Sequence, residues 1–168
     1  SPEYKLGGSL MSAEIQPNAY DNSRYVLILG APDVEGDTAA DSPYAPMMEK
    51  MGLSEEDTRE MESAAAAIGK AIQESETDVD ASMDSLEAII SLSGNPITVD
   101  ELAAKSTAYP LVAILQAKGY TQASQISLLG SQWLDEMNSL YVEENLAGFK
   151  GMLIHEIINK MALYLDED

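Results

Sequence analysis

"SEEDTREMESAAAAIGKAI", Ser54 to Ile72, decides the fold class of this chain. Ser54 offers a hydroxyl at the position of a helix N-cap, and Asp57 stands three residues on. Three consecutive acids then occupy the positive end of the helix dipole. Met61, Ala64, Ala65, Ile68, Ala71 and Ile72 follow at helical spacing, so the run reads as one long amphipathic helix. The pattern continues on both sides. Upstream, Tyr44 to Met51 forms a short helix stopped by Gly52. Downstream, Leu86, Ile89 and Ile90 mark a third helix, and "TVDE" from Thr98 is a full capping box with Glu101 at the reciprocal position. In "YPLVAILQAKGY", Pro110 lies near a helix start and Gly119 just past its end. "ISLL" from Ile126 is a short extended piece. Trp133, Leu134, Met137, Leu140 and Tyr141 share one helix face. Asn145 is placed to cap the last helix, which carries Leu146, Phe149, Leu153, Ile157 and Tyr164 along one apolar stripe expected to face the core.

The first fifty residues differ. "GGSLMSAEIQ" and "SRYVLILGAP" read as extended segments joined by the turn-rich "PNAYDNS", and "APDVEGDTAADSPYAP" reads as loop. The expected architecture is mainly α: a helical, bundle-like lobe with a small N-terminal β-hairpin or paired extended segments. It forms one domain over residues 1–168, with extended segments and loop over 1–43 and helices over 44–168.

Length and charge narrow the function. A chain of 168 residues suffices for one domain with a real core. Nine Lys and Arg against 29 Asp and Glu give a net charge of −20, a surface that repels phosphate backbones and anionic membranes. No apolar run is long enough to span a bilayer as a helix. The opening "SPEYKLGGSL" has neither an initiator Met nor a signal-peptide pattern, so Ser1 reads as a boundary inside a longer protein. Cysteine is absent, which removes disulfides, thiolate catalysis and cysteine-ligated metal. No Lys or Arg occurs from Ala71 to Ala104, an acidic stretch read as a solvated face. As an EF-hand loop it fails in both registers. Starting at Asp78 puts Met83 at the glycine position and Ile89 at the bidentate position; starting at Asp80 puts Ser85 and Ser91 there. The nine methionines sit mostly at helical core positions, as do Met61, Met137 and Met161.

"HEIIN", His155 to Asn159, is one residue short of a zinc-peptidase helix. That helix needs two histidines four apart, with a glutamate between them to activate water. Here Asn159 stands in the second position, and His155 is the only histidine in the chain. At about 100° per residue, His155 falls opposite the stripe of Leu146, Leu153 and Ile157. It is therefore expected to be a surface or partner-facing residue. No nucleophile elbow and no phosphate loop is present. No catalytic, cofactor-binding or metal-binding residue is assigned.

Four strings in fixed order carry a resemblance: "SRYVLILGAPDVEG" from Ser23, "NPITVDELAAKS" from Asn95, "YPLVAILQAKGY" from Tyr109 and "WLDEMNSLYVEENLAGFKGMLI" from Trp133. Together they resemble the N-terminal region of neprilysin-like zinc metalloendopeptidases, in the bacterial oligopeptidase branch, over nearly the whole chain. The resemblance implies a two-lobed, mostly helical parent whose zinc ligands lie in a C-terminal catalytic lobe that would follow this segment. The segment would hold no cofactor of its own, with zinc expected in that other lobe. It would belong to a lid lobe that covers an enclosed chamber and limits access to short peptides. Its partners would be the catalytic lobe and the parent's peptide substrates, and an exported or cell-envelope location would fit bacterial relatives. The family's Asn-Ala-aromatic substrate motif is not carried over to Asn18–Tyr20, because a turn and an extended segment follow it here rather than a zinc helix.

Two other classes remain open. One is a free-standing acidic helical interaction module. The other is a hydrolase with paired carboxylates, which requires two carboxylates converging in a pocket. An excised lobe should also expose an apolar patch where its partner was.

Overall fold

A computed structural model describes residues 5–6, 8–33, 42–76, 86–120 and 124–165. The middle of the predicted loop, the acidic residues 77–85 tested as a calcium loop, and the side chains of Leu86, Ile89 and Tyr164 lie outside the described residues.

The hairpin expected around "PNAYDNS" is present. Strands β1 (Lys5–Leu6), β2 (Ser12–Pro17) and β3 (Tyr25–Gly30) pair antiparallel, with Pro17 opposite Tyr25 and Ser12 opposite Gly30. Asn18 fixes the turn. Its Oδ1 accepts from the backbone N–H groups of Tyr20 (2.8 Å) and Asp21 (3.3 Å), a side-chain mimic of a backbone turn. "NAY" is thus a turn.

β3 is apolar along its length because it is covered on both faces. Val26, Leu27, Ile28 and Leu29 are all buried, as expected of a central strand. Its second neighbour comes from far along the chain: β4 (Ile126–Leu128) lies parallel to it, giving the sheet order β1-β2-β3-β4. "ISLL" is therefore not a stray extended piece but the edge of the N-terminal sheet.

The rest is helical: α1 (Ala45–Lys50), α2 (Glu55–Ser75), α3 (Leu86–Gly94), α4 (Val99–Lys105), α5 (Leu111–Ala117), α6 (Gln132–Leu140) and α7 (Leu146–Leu165). The caps follow the sequence. Ser54 accepts from the Asp57 N–H at the start of α2, and Thr98 and Glu101 form the reciprocal box of α4. Gly52 and Gly119 take positive φ (102° and 91°) just past α1 and α5, where a side chain would be strained. Asn145 does not cap α7. It belongs to a 3₁₀ turn, and its Nδ2 donates to the Leu140 carbonyl (2.8 Å) at the end of α6.

The core lies between the sheet face bearing Met11, Leu27 and Leu29 and the helices that bring Ile68, Leu102, Leu111, Trp133 and Met152. Tyr109, Tyr141 and Phe149 close one end. Tyr141 meets the other two rings edge-on, at 5.7 Å and 4.9 Å between centroids. The mainly helical class with an N-terminal hairpin is thus as expected.

Candidate functional site

The last helix corrects the sequence reading. Leu146, Leu153 and Ile157, expected in the core, are 38%, 49% and 41% exposed, and Met161 is 44% exposed. His155, expected on the surface, is 2% exposed. Phe149 of the same stripe is buried as expected, and it shares the inner face of α7 with Gly148, Gly151, Met152, His155 and Glu156. Small residues are the reason. A Cβ on Gly148 would stand 2.5 Å from Ile68 Cδ1 and 2.9 Å from the Ala64 carbonyl, and one on Gly151 would stand 3.0 Å from the Met61 carbonyl oxygen. α7 thus lies against α2 almost backbone to backbone. Periodicity scored on large apolar residues looks at the wrong face. The signal that could have found the right one is Gly148-x-x-Gly151 read together with Ala64 and Ala65.

Beside this seam the two helices bring together His155 and Glu62. His155 Nε2 lies 2.5 Å from Glu62 Oε1, and the Ser42 hydroxyl donates to Glu62 Oε2. Burial pushes the Glu62 carboxyl up, but the hydrogen bonds from His155 and Ser42 and the charge of His155 outweigh it, so the group titrates below its ordinary range. An ionised Glu62 can only accept, so His155 Nε2 is the donor. The Tyr44 ring stacks on the imidazole at 4.0 Å and 15°, and its hydroxyl donates to Asn159 Oδ1 (3.2 Å). Asn159, the position of the absent second histidine, thus serves to orient Tyr44.

Ser42, Glu62 and His155 contain the residue types of a hydrolytic triad in the wrong order. A nucleophilic serine must hydrogen-bond the imidazole, which the acid orients from the other side. Here the carboxylate sits between the two and accepts from both, so the serine has no base. Sequence reading missed Glu62 altogether, because a glutamate on a charged helix gives no sign of burial.

A second buried pair lies one residue along α7. Glu156 accepts from Lys118 Nζ through both oxygens (3.1 Å each) and from the Leu10 backbone N–H (3.1 Å). The Tyr109 hydroxyl donates to the Leu10 carbonyl (2.7 Å). Burial, then the charge of Glu156, then Tyr141 push that hydroxyl far above the ordinary range of a phenol. Gly8 makes the approach possible, since a Cβ there would lie 2.5 Å from Glu156 Oε1 and 2.7 Å from the Met11 carbonyl oxygen. This cluster clamps the segment before β2 onto α7 and the end of α5.

Among the described residues, no group of three or more His, Cys, Asp or Glu converges as a metal site, and no helix is long and apolar enough to cross a membrane. Two clefts are described. One of about 310 Å³ is lined by Ile15, Tyr25, Leu27, Tyr120 and Gln125; the other, of about 220 Å³, lies beside β4. Among the described residues, no Asp or Glu lines either cleft.

The most distinctive surface is then the outer face of α7. Leu153 and Ile157 lie at its centre, Leu146 and Met161 extend it, and the exposed Lys150 and Lys160 flank it. Fold and geometry together define a mainly helical unit whose buried ionic groups serve its own packing and whose last helix carries an apolar stripe in solvent. No family model matches the sequence, and no curated protein matches it. In fold the chain is similar to the crystal structure of PepO from Lactobacillus rhamnosis HN001, with a TM-score of 0.58 and 21% identity. The match covers 94% of this chain and 26% of that one, so this chain spans about a quarter of PepO's length.

Proposed function

We propose that this chain is a non-catalytic segment of a neprilysin-like zinc metalloendopeptidase, a part of the N-terminal lobe that covers the active-site chamber and restricts it to short peptides. The observation that carries it is the fold likeness of nearly the whole chain to about a quarter of PepO. Two features of the chain support it. The buried acids Glu62 and Glu156 and the histidine are engaged with each other or with Lys118, as fits groups that serve packing. The α7 stripe of Leu146, Leu153, Ile157 and Met161 is the kind of surface that a second lobe covers. Zinc and the groups that activate water would then belong to a catalytic lobe in the same parent protein. Lys150 and Lys160 suit a covering surface that carries carboxylates.

The test joins sequence and assay. The parent reading frame is expected to encode a His-Glu-x-x-His helix after this segment. The purified segment is expected to leave peptides intact with or without zinc, and the parent is expected to cleave short peptides in a zinc-dependent way. Leu153→Glu with Ile157→Glu is expected to leave this segment folded while loosening its association with the catalytic lobe. Zinc-dependent hydrolysis by the segment alone would overturn the proposal. A reading frame without a zinc helix would turn it toward a free-standing interaction module.

A further inference from the structure

The cleft of about 220 Å³ lies where β4 meets the connection from α3 to α4. The hydrogen bonds of β4 show which way its backbone points. Leu27 N donates to Gln125 O (2.9 Å), and Leu129 N donates to Leu29 O (2.7 Å), so Gln125 and Leu129 direct these groups toward β3. By the alternation of a strand, Ile126 and Leu128 direct theirs to the opposite side. Ile126 is satisfied there by Ile97, with reciprocal bonds of 2.7 and 3.0 Å. One rung further the antiparallel partner of Leu128 would be Asn95, but the pairing stops at the single bridge. Among the described residues, nothing pairs with the outward N–H and C=O of Leu128, which lie beside the cleft that it lines.

The cleft walls supply two more elements. Leu92 and Ile97, both half-buried, make an apolar surface, and Lys105 also lines the cleft. Lys105 is exposed, and among the described residues it forms no ion pair. Its backbone is held from behind, because its own carbonyl accepts from Asn138 Nδ2 (2.9 Å). Among the described residues, no Asp or Glu lines this cleft, and Lys105 is its one charged residue.

We propose that this cleft binds the C-terminal residue of a peptide. The peptide backbone adds a rung to β4 at Leu128, its last side chain rests on the apolar wall, and its α-carboxylate meets Lys105. Strand addition at an open edge is an established mode of peptide recognition. A fatty acid would satisfy Lys105 and the wall but not the donor and acceptor of Leu128, so the open rung selects a peptide. The inference goes beyond the lobe assignment and does not depend on it, since it is read from binding by this chain without any zinc-dependent step.

The experiment uses fluorescence anisotropy with N-terminally labelled tetrapeptides ending in leucine. Three forms are compared: free carboxylate, C-terminal amide, and free carboxylate with the last amide nitrogen methylated. The free acid is expected to bind saturably. Amidation and N-methylation are each expected to weaken it by about tenfold, the scale of one charge-assisted or one backbone hydrogen bond in a partly buried site. Lys105→Gln is expected to weaken the free acid by a similar factor and leave the amide unchanged, while Lys70→Gln changes neither. Equal binding of acid and amide, indifference to N-methylation, competition by decanoate as strong as by the peptide, or no saturable binding up to millimolar peptide would each overturn the proposal.

Discussion

Gly148→Ala tests which face of α7 is inside. The new Cβ would lie 2.5 Å from Ile68 Cδ1 and 2.9 Å from the carbonyl carbon and oxygen of Ala64. A side-chain end can rotate away, but a backbone carbonyl in the middle of α2 cannot, so the two helices must separate locally. Overpacking of this kind costs about 1–3 kcal/mol. Replacing glycine by alanine in a helix returns up to about 1 kcal/mol. The net loss is then about 1–2 kcal/mol, a fall in Tm of roughly 3–6 °C for a domain of this size. Gly151→Ala is the internal comparison. Its closest neighbour would be the Met61 carbonyl oxygen at 3.0 Å, tight but short of a clash, so strain and propensity nearly cancel. Ile157→Ser, on the outer face, should change stability by no more than about 0.5 kcal/mol. Urea unfolding followed by the fluorescence of Trp133, which is fully buried, reads all three. Pairing Gly148→Ala with Ile68→Val removes one of the clashing atoms, so the double variant should lose less than the sum of the singles. A neutral Gly148→Ala beside an Ile157→Ser that costs about 2 kcal/mol, the burial worth of a large side chain, would put the apolar stripe back in the core and refute the packing described here.

Glu62→Ala leaves His155 and Ser42 without their acceptor and should cost about 3–5 kcal/mol, the usual penalty for breaking a buried pair, measured by urea unfolding. Because the folded state holds Glu62 below its ordinary 4.5, its contribution is full above that value and is lost as the pH falls through the folded value. The urea midpoint of the wild-type chain should therefore drop more steeply on acidification than that of Glu62→Gln, and parallel acid limbs would contradict the assignment. Gly8→Ala forces Glu156 and the Met11 carbonyl apart and should cost about 2 kcal/mol; thermal unfolding unchanged from wild type would show that the clamp on the N-terminal segment does not form.

Much of this fold is legible in the sequence because its signals are local. The capping hydroxyls of Ser54 and Thr98, the glycines after α1 and α5, and the Asn18 turn each act on a backbone within three residues. What cannot be read locally was missed or only half seen. β4 joins the sheet beside β3 across about a hundred residues, and three extended residues do not announce which strand they will meet. The α7 face was misread because burial followed closeness of approach rather than side-chain size. Glu62, Glu156 and Lys118 look like solvated charges until their partners, which lie 20 to 146 residues away, are in place. The open rung at Leu128 is invisible for the same reason, since it exists only where Ile97 pairs with Ile126 and the pairing stops.

The small-residue seam also explains why a charged pair is tolerated beside it. Where α2 and α7 nearly touch, side chains just outside the contact must share a space with no room for water. Glu62 and His155 fill it with one hydrogen bond, and Ser42 satisfies the remaining oxygen. Net stability is a poor explanation for such a pair, because desolvation offsets most of the attraction. Register is a better one: the pair can form in only one sliding position of α7 along α2, whereas an apolar contact would accept several. The two accounts separate in the double variant Glu62→Met with His155→Leu. Each single change strands a polar partner and should cost about 3 kcal/mol or more, while the double should recover to within about 1 kcal/mol of wild type. If the pair sets register, the double variant should keep its thermal stability yet show broadened or doubled NMR signals for the methyl groups of Leu153 and Ile157. A double variant no more stable than either single would mean that the ion pair itself holds the two helices together.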